Sequence, residues 1–256
     1  MKRMLKWIIL LTVVVMTLTV ALSACDFIRK MKGAEVKFQE KVKNATELSF
    51  DMSLEIVEDG EKSNIDISCF KKGDEYAYTF VEPGNESVVY RRLYAHNKLY
   101  EFLTKTNLHV GMYYTTDDVP YTDDNNLLYW VTENVMLATY ATMLTKGQKD
   151  TVNGVDVYRY DFSYDGNQYG LWYDNENLVK IAATFNSTDA DGNAHSETYT
   201  GVFSNYKFDD VDASPFWDPT ETKDNTAGVV YTESPISFED WMAIINKFSA
   251  RLAHWM

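Results

Sequence analysis

From Leu48 to Ile56 apolar and polar residues alternate without a break: Leu48, Phe50, Met52, Leu54 and Ile56 in one set, Ser49, Asp51, Ser53 and Glu55 in the other. A period of two is the mark of a strand with one face in a core and one in water. Asp59-Gly60 then signals a tight turn, because glycine tolerates positive φ, and the run through Ile65 and Ile67 is predicted to pair back antiparallel. The same grammar continues through Tyr76, Tyr78 and Phe80, then Val88 to Tyr94, with Asn97 marking a turn before Leu99 to Leu103. It returns in 155–164, where Tyr158, Tyr160, Phe162 and Tyr164 alternate with Val157, Arg159, Asp161 and Ser163. After Asp165-Gly166 the return strand is Tyr169 to Tyr173, the polar run Asp174 to Asn177 turns the chain, and Leu178 to Phe185 follows. Asp191-Gly192 introduces a last long strand over about 195–207.

Three stretches carry the helical period instead. Ala34, Phe38, Val42 and Ala45 recur at helical spacing, with Lys37, Glu40, Lys41 and Lys43 facing outward. A second helix is predicted over 126–145, striped by Leu127, Trp130, Val131, Leu137, Ala138, Ala141 and Leu144, widened by Tyr129, Val135, Met136, Tyr140 and Met143, and ended by Lys146-Gly147. A helix apolar nearly all round must be covered on more than one side, so it is expected to lie against or inside a curved sheet. The third starts after Pro235, with Ser237 as N-cap, Asp240 in a capping-box-like position and Ile236 stapled against Trp241. Its stripe is Phe238, Trp241, Ile245, Phe248, Leu252 and Trp255. Residues 209–236, with Pro215, Pro219 and many acidic and turn residues, read as a connecting loop.

The first 24 residues do not belong to this pattern. Lys2, Arg3 and Lys6 precede an uncharged apolar run from Trp7 to Leu22, the form of a signal peptide, and the run is short for a span of about 20 apolar residues. Leu22-Ser23-Ala24-Cys25 resembles the lipobox of bacterial lipoproteins, which implies lipid on Cys25 and cleavage just before it. Residues 25–33 would then be a lipidated tether reaching less than roughly 30 Å. Its Arg29, Lys30 and Lys32 either lean on anionic headgroups, for about 1 kcal/mol per charge, or stay in solvent. Localisation on the outer face of the cytoplasmic membrane follows; in a two-membrane bacterium Asp26 resembles a signal for inner-membrane retention.

Losing the signal removes three basic residues and no acidic one, taking the formal charge from −14 to −17. Such a body repels nucleic acid and anionic surfaces. With Cys25 lipidated, Cys69 has no intramolecular partner, and its place beside Ile65 and Ile67 makes it a buried apolar residue.

No catalytic signature emerges, and a non-enzyme without metal or cofactor is expected. Aligning Gly192 to the glycine of a calcium loop puts Ser187 and Thr198 at ligand positions that need carboxylates, so Asp189 to Asn193 reads as a hairpin turn. His96, His109, His195 and His254 lack zinc-ligand spacing. The 18 tyrosines, 13 phenylalanines and 6 tryptophans suit either an apolar pocket or an ordinary β core.

Phe38 to Val57 is similar to the opening helix and first strand of the LolA/LolB-type lipoprotein-carrier superfamily. Val152-Asn153-Gly154-Val155 through Tyr160, then Tyr169 to Tyr173 and Leu178-Val179-Lys180-Ile181, resembles that family's later hairpin ladder. The resemblance covers roughly 34–208. It implies an α+β fold: a strongly curved antiparallel sheet, an unclosed half-barrel, whose apolar concave face is covered by helices and shelters lipid or acyl chains. The chain departs from the soluble carriers in its anchor, in lacking a proline before the Leu178 strand, and in its extra helix over 237–256. The expected function is a membrane-anchored binding protein for lipid or another amphipathic ligand, with Trp130, Leu137, Tyr140, Trp241, Ile245 and Phe248 as candidate ligand contacts. The alternative is an envelope structural or regulatory module that meets a protein partner, its cavity filled by its own C-terminal helix.

Overall fold

The computed structural model describes residues 34–116, 147–188, 194–217 and 228–243, apart from positions 59, 85, 165, 238 and 242 within them. Helix α1 (Ala34–Asn44) leads into β1 (Glu47–Glu58), β2 (Glu61–Lys72), β3 (Glu75–Val81), β4 (Val88–Ala95), β5 (Lys98–Lys105) and β6 (Val110–Thr116). Beyond residue 146 come β7 (Gln148–Val152), β8 (Val155–Tyr164), β9 (Asn167–Tyr173), β10 (Leu178–Thr188), β11 (Ala194–Lys207) and β12 (Val230–Glu233). These strands form one sheet in the order β12-β6-β5-β4-β3-β2-β1-β11-β10-β9-β8-β7. The sheet is unclosed, with β12 and β7 at its two ends, and the arrangement fits a half-barrel.

The predicted hairpins are present because the local chemistry agrees with the pattern. Asn153 and Gly154 take φ of 50° and 80°, and His96 and Asn97 take 55° and 62°, the left-handed pairs that a two-residue hairpin turn requires. Asp174 makes its own turn, accepting the backbone N–H of Glu176 and of Asn177 at 2.7 Å each. The long-range step is β1 with β11, where Met52 faces Phe203 and Ile56 faces Tyr199. A bulge interrupts that ladder between Ser49 and Asp51; Asn205 stands there at φ 56° and donates to Asp51 Oδ2 at 2.7 Å.

Alternation sorts the side chains onto two faces. The inner face carries Leu48, Phe50, Met52, Leu54 and Ile56 of β1 and continues through Ile67, Cys69, Tyr78, Phe80 and Tyr90 to one side and Tyr199, Phe203, Leu171 and Tyr173 to the other, in one buried cluster. Phe38 and Val42 of α1 join it; Phe38 meets Tyr206 and Tyr173 edge-on at 5.5 and 6.3 Å. Each such side chain withdrawn from water contributes roughly 1.5–3 kcal/mol, so this face is the main source of stability. Cys69, as expected, is a free, fully buried thiol within it. The outer face holds two smaller clusters, one around Leu93, Tyr100 and Phe102, the other around Val152, Val157 and Trp172.

One expectation changes, and several fall on residues that the structure does not describe. Residues 209–236 are not simply a loop: a 3-10 turn at Ser214–Phe216 and strand β12 lie within them, and Val211 and Val229 are buried. β12 runs parallel to β6, the one parallel pair among the described residues. Of the C-terminal helix, residues 239–241 are described as its first turn. Its residues from 244 on, the predicted helix over 126–145, the signal segment 1–24 and the tether with Cys25 all lie outside the described residues. Among those described, no helix is long and apolar enough to cross a membrane.

Candidate functional site

The inner face carries the largest of the three buried clusters among the described residues, and the register of its hairpins places each side chain. Tyr76 faces Tyr94, which faces Leu99; Phe80 faces Tyr90, which faces Leu103. The first pair of each row stacks, at 5.2 and 5.3 Å between ring centroids. Between these aromatic rows lies a polar one, in which Tyr78 faces Arg92 and Arg92 faces Glu101.

Arg92 and Glu101 are both buried. Nε and Nη2 of Arg92 each approach Glu101 Oε1 to 2.8 Å, and the Tyr90 hydroxyl donates to Oε2. Burial works against the Arg92 charge, but Glu101 and Tyr90 together outweigh it and hold the guanidinium above its ordinary pKa. Burial and the Glu101 carboxylate push the Tyr90 phenol well above the usual range. The triad is therefore a neutral, internally paired island in an apolar aromatic surface. Such an island tolerates a hydrogen-bonding group beside it better than an unpaired charge.

The other half of the face is apolar and aromatic: Tyr160, Phe162, Leu171, Ile181, Phe185 and Tyr199. Two described elements pack on the inner face. Helix α1 is tied down by Lys41, whose ammonium meets Glu176 at 2.7 Å, and by Lys71, which donates to the Ala45 carbonyl at 3.2 Å. The second cover is the turn at the chain's C-terminal end. Ser237 Oγ accepts the Asp240 backbone N–H at 3.2 Å and donates to its carboxylate at 2.7 Å, the cap that its sequence predicts. Trp241 follows with 0% of its surface exposed, inside the inner cluster. Among the described residues its buried indole N–H has no hydrogen-bond partner.

Of the candidate contacts, then, Trp241 lies in the inner core, and Trp130, Leu137, Tyr140, Ile245 and Phe248 fall outside the described residues. The triad of Tyr90, Arg92 and Glu101 went unpredicted. Its signal was present in two alternating strands, where Arg92 sits between Tyr90 and Tyr94 and Glu101 between Leu99 and Leu103, opposite charges on apolar positions.

On the outer face a depression of about 260 Å³ is lined by Arg159, Asp161, Gln168, Gly170 and Thr184 among others. Among the described residues no group of three or more His, Cys, Asp or Glu side chains is placed to hold a metal ion.

No family model and no curated protein matches the chain. Among solved structures it is similar to a DUF1329 family protein from Desulfovibrio piger, at 9% identity and a TM-score of 0.34 over 73% of this chain and 95% of that one. It is similar to lipoprotein LppX of Mycobacterium tuberculosis, at 10% identity and 0.33 over 70% and 96%. A putative outer membrane lipoprotein-sorting protein domain from Vibrio parahaemolyticus aligns at 11% identity and 0.26 over 70% and 93%. Of the longer PNGF-II the chain spans 33%, at 11% identity and 0.28. These superpositions are loose.

Proposed function

We propose that this chain is a lipid-anchored, extracytoplasmic, non-catalytic protein whose inner face shelters an acyl chain or other amphipathic ligand, and that Trp241 occupies the site when no ligand is present. The observation that carries the reading is the buried Trp241 side chain on a continuous aromatic face of an unclosed sheet. The indole N–H it leaves unpaired costs about 1–3 kcal/mol, the sign of a cover that fits the face imperfectly.

Magnitudes decide what a ligand must do. An acyl chain burying about 300 Å² gains on the order of 7 kcal/mol, while a tryptophan burying about 200 Å² gains about 5 kcal/mol. A ligand that displaces Trp241 keeps only the difference, so the covered form binds weakly. The anchor belongs to the same proposal: a signal over 1–24 and lipid on Cys25. Trp130, Leu137 and Tyr140 join it through topology, because residues 117–146 link β6, next to one end of the sheet, to β7 at the other. A helix of 20 residues spans about 30 Å, enough to carry the chain across much of a curved inner face.

The test is titration of a fluorescent fatty acyl probe against the delipidated protein and its Trp241→Ala variant, each confirmed folded by circular dichroism. Saturable binding that tightens at least tenfold in the variant supports the reading. The second reading, a self-filled interaction module, is favoured by the complete burial of Trp241, and it expects no binding by either protein. Intact mass and membrane fractionation of wild type and Cys25→Ala test the anchor; a wild-type chain without added lipid mass would remove it.

A further inference from the structure

Strand β12 is held by side chains more than by its ladder. It has four residues in a parallel pair with β6, a short ladder of the weaker kind. On the outer face, however, the Tyr231 ring meets Phe102 at 5.5 Å and Trp217 at 5.3 Å, both edge-on, and its hydroxyl lies 3.1 Å from Thr104 Oγ1. The Arg91 guanidinium lies over this ring pair, 4.4 Å from the Phe102 centroid and 5.0 Å from that of Trp217, while the two rings meet each other at 5.7 Å. Among the described residues its buried Nε and Nη2 have no hydrogen-bond partner, and the ring faces supply the attraction that holds this cation. Gly111 makes room for the assembly: a methyl there would fall 2.5 Å from Tyr231 Cε1.

The chain from this cluster to the inner face has little slack. The Ser234 N–H donates to the Tyr113 carbonyl at 2.8 Å, extending the ladder, and the Ile236 N–H donates to Ser234 Oγ at 3.4 Å. The Trp241 N–H donates to the Ser237 carbonyl at 2.9 Å, closing the first helical turn. Tyr231 and Trp241 are thus two ends of one hydrogen-bonded segment, with Tyr231 on the outer face and Trp241 in the inner core.

We infer that the Arg91–Phe102–Trp217–Tyr231 cluster is a clamp that keeps Trp241 seated on the inner face, so that loosening the outer face uncovers the inner one. This rests on the reading of Trp241 as the occupant of the site. Removing the Trp217 ring deletes one of the two rings under the guanidinium and one contact of Tyr231 at once, both in the outer cluster.

The experiment is hydrogen exchange by mass spectrometry on the full chain and its Trp217→Ala variant, with Gly111→Ala as a second variant that displaces Tyr231 directly, each followed by the acyl-probe titration. The expected result is at least tenfold faster exchange across 230–241, unchanged protection in β1 and β2, and probe binding tightened severalfold. Unchanged exchange in 230–241, or equal acceleration throughout the sheet in both variants, overturns the clamp. Selective acceleration without probe binding in any variant supports the clamp and overturns the ligand reading, so the two fail separately.

Discussion

Arg92 on β4 and Glu101 on β5 stand directly opposite each other on the inner face, with two arginine nitrogens each 2.8 Å from one carboxylate oxygen. Removing one partner leaves the other charged and uncompensated in an apolar surround, at about 3–5 kcal/mol, whereas replacing both with apolar residues of similar size is often neutral. Glu101→Ala is therefore expected to lower unfolding free energy in urea by about that amount, and Arg92→Met with Glu101→Leu by much less. A single substitution as mild as the double one would mean that water reaches the pair.

Cys69 gives a direct measure of how tightly the inner face is closed. The thiol is fully buried, and burial, with Asp51 nearby, pushes its pKa well above the ordinary value. Only an opened molecule should react with a thiol reagent. For a domain stable by about 5 kcal/mol or more, labelling should be slowed more than about a thousandfold relative to denatured protein. Prompt labelling of the native chain would contradict the packing around β2.

The pH dependence follows from carboxylates that folding holds ionised. The Val211 backbone N–H, 2.9 Å from Glu47 Oε2, and then Lys72, 3.2 Å from Oε1, hold Glu47 below its ordinary 4.5. Asp150, Glu176 and Asp212 are lowered likewise, first by Trp172, Lys41 and Ser214 respectively. A depressed folded pKa stabilises above the unfolded value, and that contribution disappears as pH falls through the folded one. The midpoint of urea unfolding should be flat near neutrality and fall below about pH 4.5. Glu47→Gln should lower it at neutral pH and converge with wild type in acid; a constant gap between the two would rule this carboxylate out.

The parts of this fold that were legible in the sequence are those whose information is local. Alternation in Leu48 to Ile56 specified β1 because one face is core, and Asp59-Gly60 and Asp165-Gly166 signalled turns through the freedom of glycines that take φ of 89° and 80°. Ser237 and Asp240 specified a cap three residues apart. What escaped depends on pairing between distant segments. The apolar pattern of β6 is interrupted in the sequence by Gly111, whose small size makes sense only once Tyr231, more than a hundred residues later, lies over it. β12 is too short to show a period, and its parallel partner is far away in the chain. Arg92 and Glu101 violate the apolar pattern one at a time, and only the register of the 96–97 hairpin turns two violations into one ion pair.

The Trp172 ring on the outer face poses the same kind of dependence in a form that can be tested. Its Nε1 donates to Asp150 Oδ2 at 2.7 Å, and Arg159 and Lys180 lie 5.1 and 4.5 Å from its centroid. So held, the ring covers Gly170 two residues earlier on β9; a methyl there would fall 2.6 Å from Trp172 Cη2 and 3.2 Å from Asp161 Oδ1. Ordinarily alanine in a strand gains about 0.5–1 kcal/mol over glycine in chain entropy. Here the clash should reverse the sign, because moving the ring breaks the indole hydrogen bond and parts the two cations from it. Overpacking of this kind costs about 1–3 kcal/mol. Gly170→Ala should then lower the thermal midpoint by roughly 2–4 °C for each kcal/mol lost. In a Trp172→Val background the obstacle is gone, and the same substitution should become neutral or slightly stabilising. An equal loss in both backgrounds would show that Gly170 is required by the β8–β10 ladder itself and not by the tryptophan that covers it.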